Sequence, residues 1–416
     1  MLRSLSSNSI HRSTAAILIG AALAAAPASA EIQFEIVGLG SLGESGSWAN
    51  SINDAGQIVG RAHTSYLPVP DSPLQISNVH AFLFHGGALI DLGTLPGHAV
   101  SIAFDINTHG DVVGYSASGQ PAAFVWADGA MTPLQAIPGF SSAAHAINDH
   151  GLIVGSVTLN GGGATDEFPV RWMNGLVAML PFDAAWSSAF ATNVNNTGHS
   201  VGMAHVTSSQ EDHAVLWADG AAIDLGTLDG SPFSCANAIN DAGAIIGHSG
   251  VADGGIWVSR AVRWDGGVIQ DLGSLGGNSS DALDINAHGH IVGTADVGST
   301  QHAFLWQDGH MIDLNDLIDP ESGWVLGEAH AINDAGQIVG SGVRNGATQA
   351  FLLDPIVIEC PRGDLTGDCF VNSFDLGQLL DAWTQSIDGE FNPAADLNGD
   401  GSINGFDLGI LLSNWG

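Results

Sequence analysis

The phrase INDAGQIVG at Ile52–Gly60 returns unchanged at Ile332–Gly340, and five degenerate copies lie between them. They begin at Ile106, Ile147, Val194, Ile239 and Ile285, so the shared asparagines are Asn53, Asn107, Asn148, Asn195, Asn240, Asn286 and Asn333. Self-similarity at about 45 residues leaves only architectures that stack one supersecondary unit repeatedly. Two further phrases keep the same beat. One is HAFLF from His80, which recurs as AAFVW, PVRW, HAVLW, AVRW, HAFLW and QAFLL. The other is DLGTL or DLGSL, beginning at Asp91, Asp224 and Asp271, with weaker counterparts from Gly38 and Ile312.

Each phrase is a short apolar or alternating run closed by a turn signal, the mark of strands joined by hairpins. The Asn-Asp-Ala-Gly segments and the Asp-Gly pairs of WADG and WQDG supply residues that tolerate positive φ. A unit therefore holds about four strands, the size of one propeller blade. The expected fold is mainly β, a seven-bladed β-propeller of about 45-residue repeats spanning 31–357, followed by a small α-helical module at 358–416. The chain enters the repeats with IQFEIVGLG and leaves them with AFLLDPIVI. Pairing the two in one blade would remove open edges and give a monomeric ring. A long β-solenoid is the alternative, because periodicity does not reveal whether a stack closes.

HAFLW, DLGTL and AINDAGQIVG resemble the HAF family of bacterial extracellular repeats over most of residues 32–355. That resemblance implies an extracellular repeat protein and names no ligand. Seven asparagines at one repeat position read as turn and capping residues. The His of HAF, at His80, His213 and His302, gives way to Ala122, Pro169, Arg260 and Gln349 elsewhere, which a ring of metal ligands would not tolerate. Trp126, Trp172, Trp217, Trp264 and Trp306 read as packing between blades.

The formal charge is −35 and there is no lysine, which disfavours nucleic acid and anionic lipid as partners and favours divalent cations. Residues 1–30 read as a signal peptide: Arg3 and Arg12 precede an apolar run from Ala15 to Ala25, and Ala28-Ser29-Ala30 forms the cleavage site. The expected product is secreted, cleaved after Ala30 and without a membrane span. Three cysteines exclude a disulfide scaffold. Cys360 and Cys369 read as a disulfide, as free thiols or as an intermolecular link, and Cys235 as a buried small residue.

From Asp364 the pattern changes. DLTGDCFVNSFD runs to Asp375, and DLNGDGSINGFD runs from Asp396 to Asp407. An EF-hand loop needs oxygen ligands at positions 1, 3, 5, 9 and 12, a main-chain carbonyl at 7 and glycine at 6. The second loop meets this with Asp396, Asn398, Asp400, Asn404 and Asp407, the Ser402 carbonyl and Gly401. The first offers Asp364, Thr366, Asp368, the Phe370 carbonyl, Asn372 and Asp375, with Cys369 in place of glycine. Two Ca²⁺ ions are expected, the first loop binding more weakly. Leu376, Leu379, Leu380 and Trp383, and likewise Leu408, Leu411, Leu412 and Trp415, fall on one helical face each.

Duplicated loops offset by 32 residues, each followed by one helix, resemble a type I dockerin over residues 363–416. That resemblance implies calcium-dependent docking to a cohesin, in systems for extracellular polysaccharide breakdown. Ser373 with Phe374, and Gly405 with Phe406, would be the partner-reading pairs, where small polar pairs are usual. The functional reading is a non-catalytic propeller for extracellular binding or structure, tethered through this module to a cohesin-like protein or cell-surface component, with a carbohydrate as a candidate ligand. A carbohydrate-active hydrolase or lyase is one alternative; its acids would have to break the repeat, as Asp166, Glu167, Asp183, Glu211, Glu321 and Glu328 do. A self-associating surface protein is the other.

Overall fold

The computed structural model describes residues 33–43, 46–68, 75–160, 166–228, 231–253, 256–356, 362–366, 371–387 and 392–415. The signal-peptide reading, Cys360, Cys369, Asp368 and Phe370 lie outside the described residues. The chain divides into two compact units, one of residues 33–356 and one containing the C-terminal segment.

The larger unit is a seven-bladed β-propeller of four-stranded antiparallel sheets. Blade 1 runs through Ser47–Ile52, Ile58–Pro68, Gln75–His85 and Ala88–Gly93, from the channel outward. Blades 2 to 6 repeat this meander, with innermost strands Val100–Ile106, Phe140–Ile147, Trp186–Val194, Ser234–Ile239 and Ser280–Ile285. Blade 7 takes three strands from the end of the repeats, Trp324–Ile332, Ile338–Arg344 and Ala347–Ile356. Its fourth and outermost strand is Gln33–Gly40, paired antiparallel to Ala347–Ile356. The ring is thus closed by hydrogen bonds between the two ends of the repeat region, which rules out the open solenoid.

Local chemistry explains the hairpins. In each repeat the asparagine ends the innermost strand and its own side chain folds the turn. Asn148 Oδ1, for example, accepts from the main-chain N–H of His150 at 3.0 Å and of Leu152 at 2.9 Å, while Gly151 takes the left-handed conformation at φ 71°. The outer hairpins use Asp-Gly, Asn-Gly or Gly-Gly pairs with both residues at positive φ, as at Asp128 and Gly129 (52° and 80°).

The apolar residues lie between blades. Val59, Ala81 and Leu83 of blade 1, for instance, bury against Ala103, Ile106, Val112 and Phe124 of blade 2. The tryptophans expected between blades are there. Trp172, Trp217 and Trp264 are buried, each donating its indole N–H to a carbonyl in the connection that precedes its own blade or hairpin, at Gln135, Pro181 and Leu225. Buried serines add further staples: Ser101 Oγ accepts from Ala81 N–H of the HAF phrase and donates to the Gly93 carbonyl of the DLG phrase. The glycine of each IVG phrase sits under a bulge in the innermost strand. A Cβ on Gly247 would fall on the carbonyl oxygen of Cys235, and the equivalent glycines of the other six blades face the same carbonyl.

In the smaller unit, helix α1 spans Ser373–Ile387 and helix α2 spans Gly405–Ser413. Leu379, Ala382 and Leu411 bury together with Val371 and Ile403 from the loops, flanked by Leu376, Trp383 and Leu408. The expected apolar face is narrower than its spacing suggests. Leu380, Leu412 and Trp415 are exposed, because the two short helices cover only one stripe of each other and α2 ends at Ser413, before Trp415. Among the described residues, no helix is long and apolar enough to cross a membrane.

Candidate functional site

The seven repeat asparagines do more than cap turns. Each donates its Nδ2–H to the main-chain carbonyl of the next one, from Asn53 to Asn107 at 2.9 Å and onward around the axis until Asn333 donates to Asn53 at 3.2 Å. A second set runs beside it, in which a main-chain N–H donates to the acid or amide one position further along in the next blade. Asp149, Asn196, Asp241, Asp334 and Asp54 are the acceptors, at 2.7–3.0 Å, and the set is interrupted where Thr108 and Ala287 occupy that position. These two sets ring one mouth of the axial channel, around a cavity of about 230 Å³.

Deeper in, the repeat changes character. Four positions before each asparagine stands a buried alanine in all seven blades, from Ala49 to Ala329. One position later the seven residues are Asn50, Phe104, His145, Thr192, Asn237, Leu283 and His330, and these line an axial cavity of about 680 Å³. Four of them donate to the next blade's alanine carbonyl: Asn50 to Ala103 at 2.7 Å, His145 Nδ1–H to Ala191 at 2.7 Å, Thr192 to Ala236 at 2.7 Å and Asn237 to Ala282 at 2.8 Å.

Two carboxylates share this cavity. Asp105 accepts from Ser51 Oγ, Ile106 N–H and Ile147 N–H, at 2.8, 2.9 and 2.8 Å. Asp284 accepts from Ile332 N–H at 2.9 Å. Both keep part of their surface open to the cavity although protein surrounds them. Burial pushes the Asp105 carboxyl above the usual carboxylate range against the pull of its three donors. Burial likewise pushes Asp284 up to about 7, with the neighbouring charge of Asp105 adding to it. Burial holds His145 neutral by lowering its pKa. A carboxyl raised in the folded state binds its proton more tightly there than in the unfolded chain. Its contribution to stability is therefore largest below the unfolded value of 3.8 and is lost as pH rises towards 7. Stability to denaturant is expected to fall across that window at up to about 1.4 kcal/mol per pH unit, and Asp284→Asn to flatten the slope. Equal slopes in the two proteins would show that Asp284 titrates normally.

The acids considered for glycosidase chemistry are not gathered into a pair. Asp166 and Glu167 lie at the start of an outer strand of blade 3, Glu211 in blade 4 and Glu321 in a short 3-10 helix, while Asp183 caps the turn before Trp186. Glu328 alone reaches the innermost strands, where it meets His330 at 3.1 Å. The repeat's histidines have a partner that the notion of a metal ring passed over. His80, His213 and His302 contact Asp91, Asp224 and Asp313 of the same blade at 2.9, 2.7 and 2.6 Å. The signal was present in the sequence as a constant separation of 11 residues.

In the C-terminal unit the second loop is turned by its own acids. Asp396 accepts from the N–H groups of Gly399, Asp400 and Gly401, the last taking φ 84°. Asp407 is fully buried; it accepts from Asn398 N–H at 3.1 Å and from Asn404 N–H at 2.8 Å, completing a capping box with Asn404 at the start of α2. Asp375 does the same in the first loop, accepting from Leu365, Thr366 and Asn372. Burial raises its pKa, but these donors outweigh that and hold it below the usual carboxylate range. Among the described residues, no three carboxylate, imidazole or thiol groups converge at metal-binding distance. The donor set of the second loop is nonetheless all oxygen, and its buried carboxylate has only neutral N–H partners, which suits a hard cation such as Ca²⁺.

Residues 362–413 match the dockerin type I domain. Dockerin domains of this type typically bind calcium and dock to cohesins. No curated protein matches the chain. Similar solved structures include TolB from Acinetobacter baumannii, at 13% identity over 61% of this chain and 62% of that one, with a TM-score of 0.40. This chain thus spans just under two thirds of TolB. They also include XC5397 from Xanthomonas campestris, a gluconolactonase, at 10% identity over 79% and 92% with a TM-score of 0.40. A Trypanosoma rangeli sialidase in complex with 2,3-difluorosialic acid matches at 11% identity over 89% and 65%, with a TM-score of 0.37.

Proposed function

We propose that this chain is an exported, calcium-dependent docking protein whose dockerin segment engages a cohesin and whose propeller is a non-catalytic binding unit outside the cell. Asp396, Asn398, Asp400, the Ser402 carbonyl, Asn404 and Asp407 hold one calcium ion. Asp364, Thr366, Asp368, the Phe370 carbonyl, Asn372 and Asp375 hold a second, more weakly because Thr366 is a poorer ligand and Cys369 replaces the turn glycine. Propeller and dockerin carry separate tasks, as modules on one exported chain do, and the polysaccharide setting follows only from the dockerin resemblance.

The observation that carries this reading is the equivalence of the two loop-helix units. Each places a phenylalanine at the second residue of its helix, and Phe374 and Phe406 are 73% and 75% exposed. A large apolar side chain left in water twice, at matching positions, suits a contact surface. Capture of the full chain on an immobilised type I cohesin, with and without EGTA, tests the proposal. Calcium-dependent capture is expected, and replacing both phenylalanines by alanine is expected to weaken it by at least about tenfold. Capture that ignores EGTA, or that both alanines leave unchanged, would refute the docking reading.

A further inference from the structure

The propeller keeps its repeat wherever the repeat builds the ring and abandons it where the channel is lined. Seven buried alanines stand directly before seven channel residues of five different types, and seven buried asparagines stand three positions after those. A ring built only for rigidity has no need of that divergence, whereas a single small ligand on a sevenfold axis requires it.

The lining has a definite character. One arc is aromatic: the ring centroids of Phe104 and His145 lie 5.7 Å apart, and those of His145 and Phe190 6.3 Å apart, both edge to face. The remaining wall is rich in acceptors, because most of its donors are already used within the ring. One amide proton of Asn50, one of Asn237 and the hydroxyl of Thr192 go to alanine carbonyls, and the second proton of Asn237 goes to the Asp281 carboxylate, which leaves their oxygens. His145 spends Nδ1–H in the same way and keeps Nε2 as an acceptor. Asn193 accepts from Ile239 N–H at 3.4 Å and keeps its amide protons, and with the second amide proton of Asn50 these are the exceptions in this wall. Asp105 and Asp284, with hydroxyl and main-chain N–H partners only, add negative charge when ionised, Asp284 as the pH passes about 7. At the cavity's edge His330 is engaged by Glu328, which also feels Arg61, itself stacked 4.9 Å from the Trp48 ring centroid.

We propose that this axial cavity binds a small organic ammonium ion, whose N–H donors and charge meet Asn50, Asn237 and Asp284 while its carbon body packs on Phe104 and Phe190. An anion is repelled by the two carboxylates. A neutral polyol brings one acceptor for every donor, and this wall has few protons to give it. An ammonium group brings donors alone, and aromatic faces attract cations. The volume of about 680 Å³ holds a body of six to ten heavy atoms with room for water.

The proposal rests on the reading of the propeller as a binding unit and is independent of docking. Its test is a calorimetric titration of the full chain at about pH 8, above the Asp284 transition, in EGTA and physiological salt, with benzylammonium, isosteric benzyl alcohol, benzoate and glucose. One equivalent of benzylammonium is expected, with benzyl alcohol at least tenfold weaker and benzoate and glucose silent. Asp284→Asn is expected to weaken binding at least tenfold. Leu283→Lys, at a position without a hydrogen-bonding role in the ring, places a tethered ammonium in the cavity and is expected to abolish binding at an unchanged denaturation midpoint. Equal affinity for the alcohol, tighter binding of glucose, or ammonium binding that a folded Leu283→Lys protein retains would overturn the assignment. Cohesin capture of these variants is expected to be unchanged, so failure here and failure of docking are separable.

Discussion

Gly247→Val is expected to lower the stability of the full chain by more than about 3 kcal/mol in chemical denaturation, or to prevent folding. Gly247 does not take a positive φ, so its backbone would accept another residue; the obstacle is the Cys235 carbonyl across the bulge, which occupies the place of a Cβ. Carbonyl and glycine belong to paired strands of one blade, and neither can withdraw without breaking the ladder that holds the innermost strand at the channel. Gly266→Ala is the contrast. That residue takes φ 56° with nothing near its Cβ position, so only the left-handed conformation is strained, at a cost of about 1 kcal/mol. A small and equal loss in the two variants would mean that the bulge is not the fixed feature of each blade described above.

Asp407→Ala is expected to remove calcium from the second loop, lowering its affinity by at least roughly a hundredfold, and with it cohesin capture. Asp407 serves twice on the proposed reading: its carboxylate stands at the twelfth loop position to ligate calcium, and it caps α2 by accepting from Asn404 N–H. Asp407→Asn separates the two roles, since an amide oxygen can still accept from Asn404 but brings no charge to the ion. Loss of calcium with retention of helix in Asp407→Asn, against loss of both in Asp407→Ala, is the expected pattern under circular dichroism and calorimetry. Full calcium affinity in Asp407→Asn would exclude this carboxylate as a ligand.

The blades were legible in the sequence because their determinants are local. Asparagine, glycine and Asp-Gly pairs set each hairpin within a few residues, and spacing alone then counts the strands. Closure was legible as well, from IQFEIVGLG and AFLLDPIVI each lacking what the other supplies. The asparagine ring was not, since each Nδ2–H finds its partner in the next blade, 41 to 54 residues on for six of them and 280 residues back for Asn333, and periodicity carries no information about which neighbour a side chain faces. The channel lining escaped for a related reason. Residues such as Phe104, Thr192 and Leu283 look like noise in a degenerate repeat until the ring places them around one axis. In the dockerin segment the oxygen donors could be read off one by one, because ligand spacing is a property of a single turn. Burial could not be read so directly: Leu380 and Leu412 sit at helical spacing from Leu376 and Leu408 yet remain exposed, since two short helices share only a narrow seam.

The most direct test of calcium-dependent docking on a closed propeller is a calorimetric titration of calcium into the full chain after stripping with EGTA and removal of the chelator, beside Asp396→Ala and Asp375→Ala. Two equivalents are predicted, the tighter lost in Asp396→Ala and the weaker in Asp375→Ala. Absence of binding would contradict the account, as would a binding heat that neither substitution alters, which would move the calcium to the acidic propeller surface.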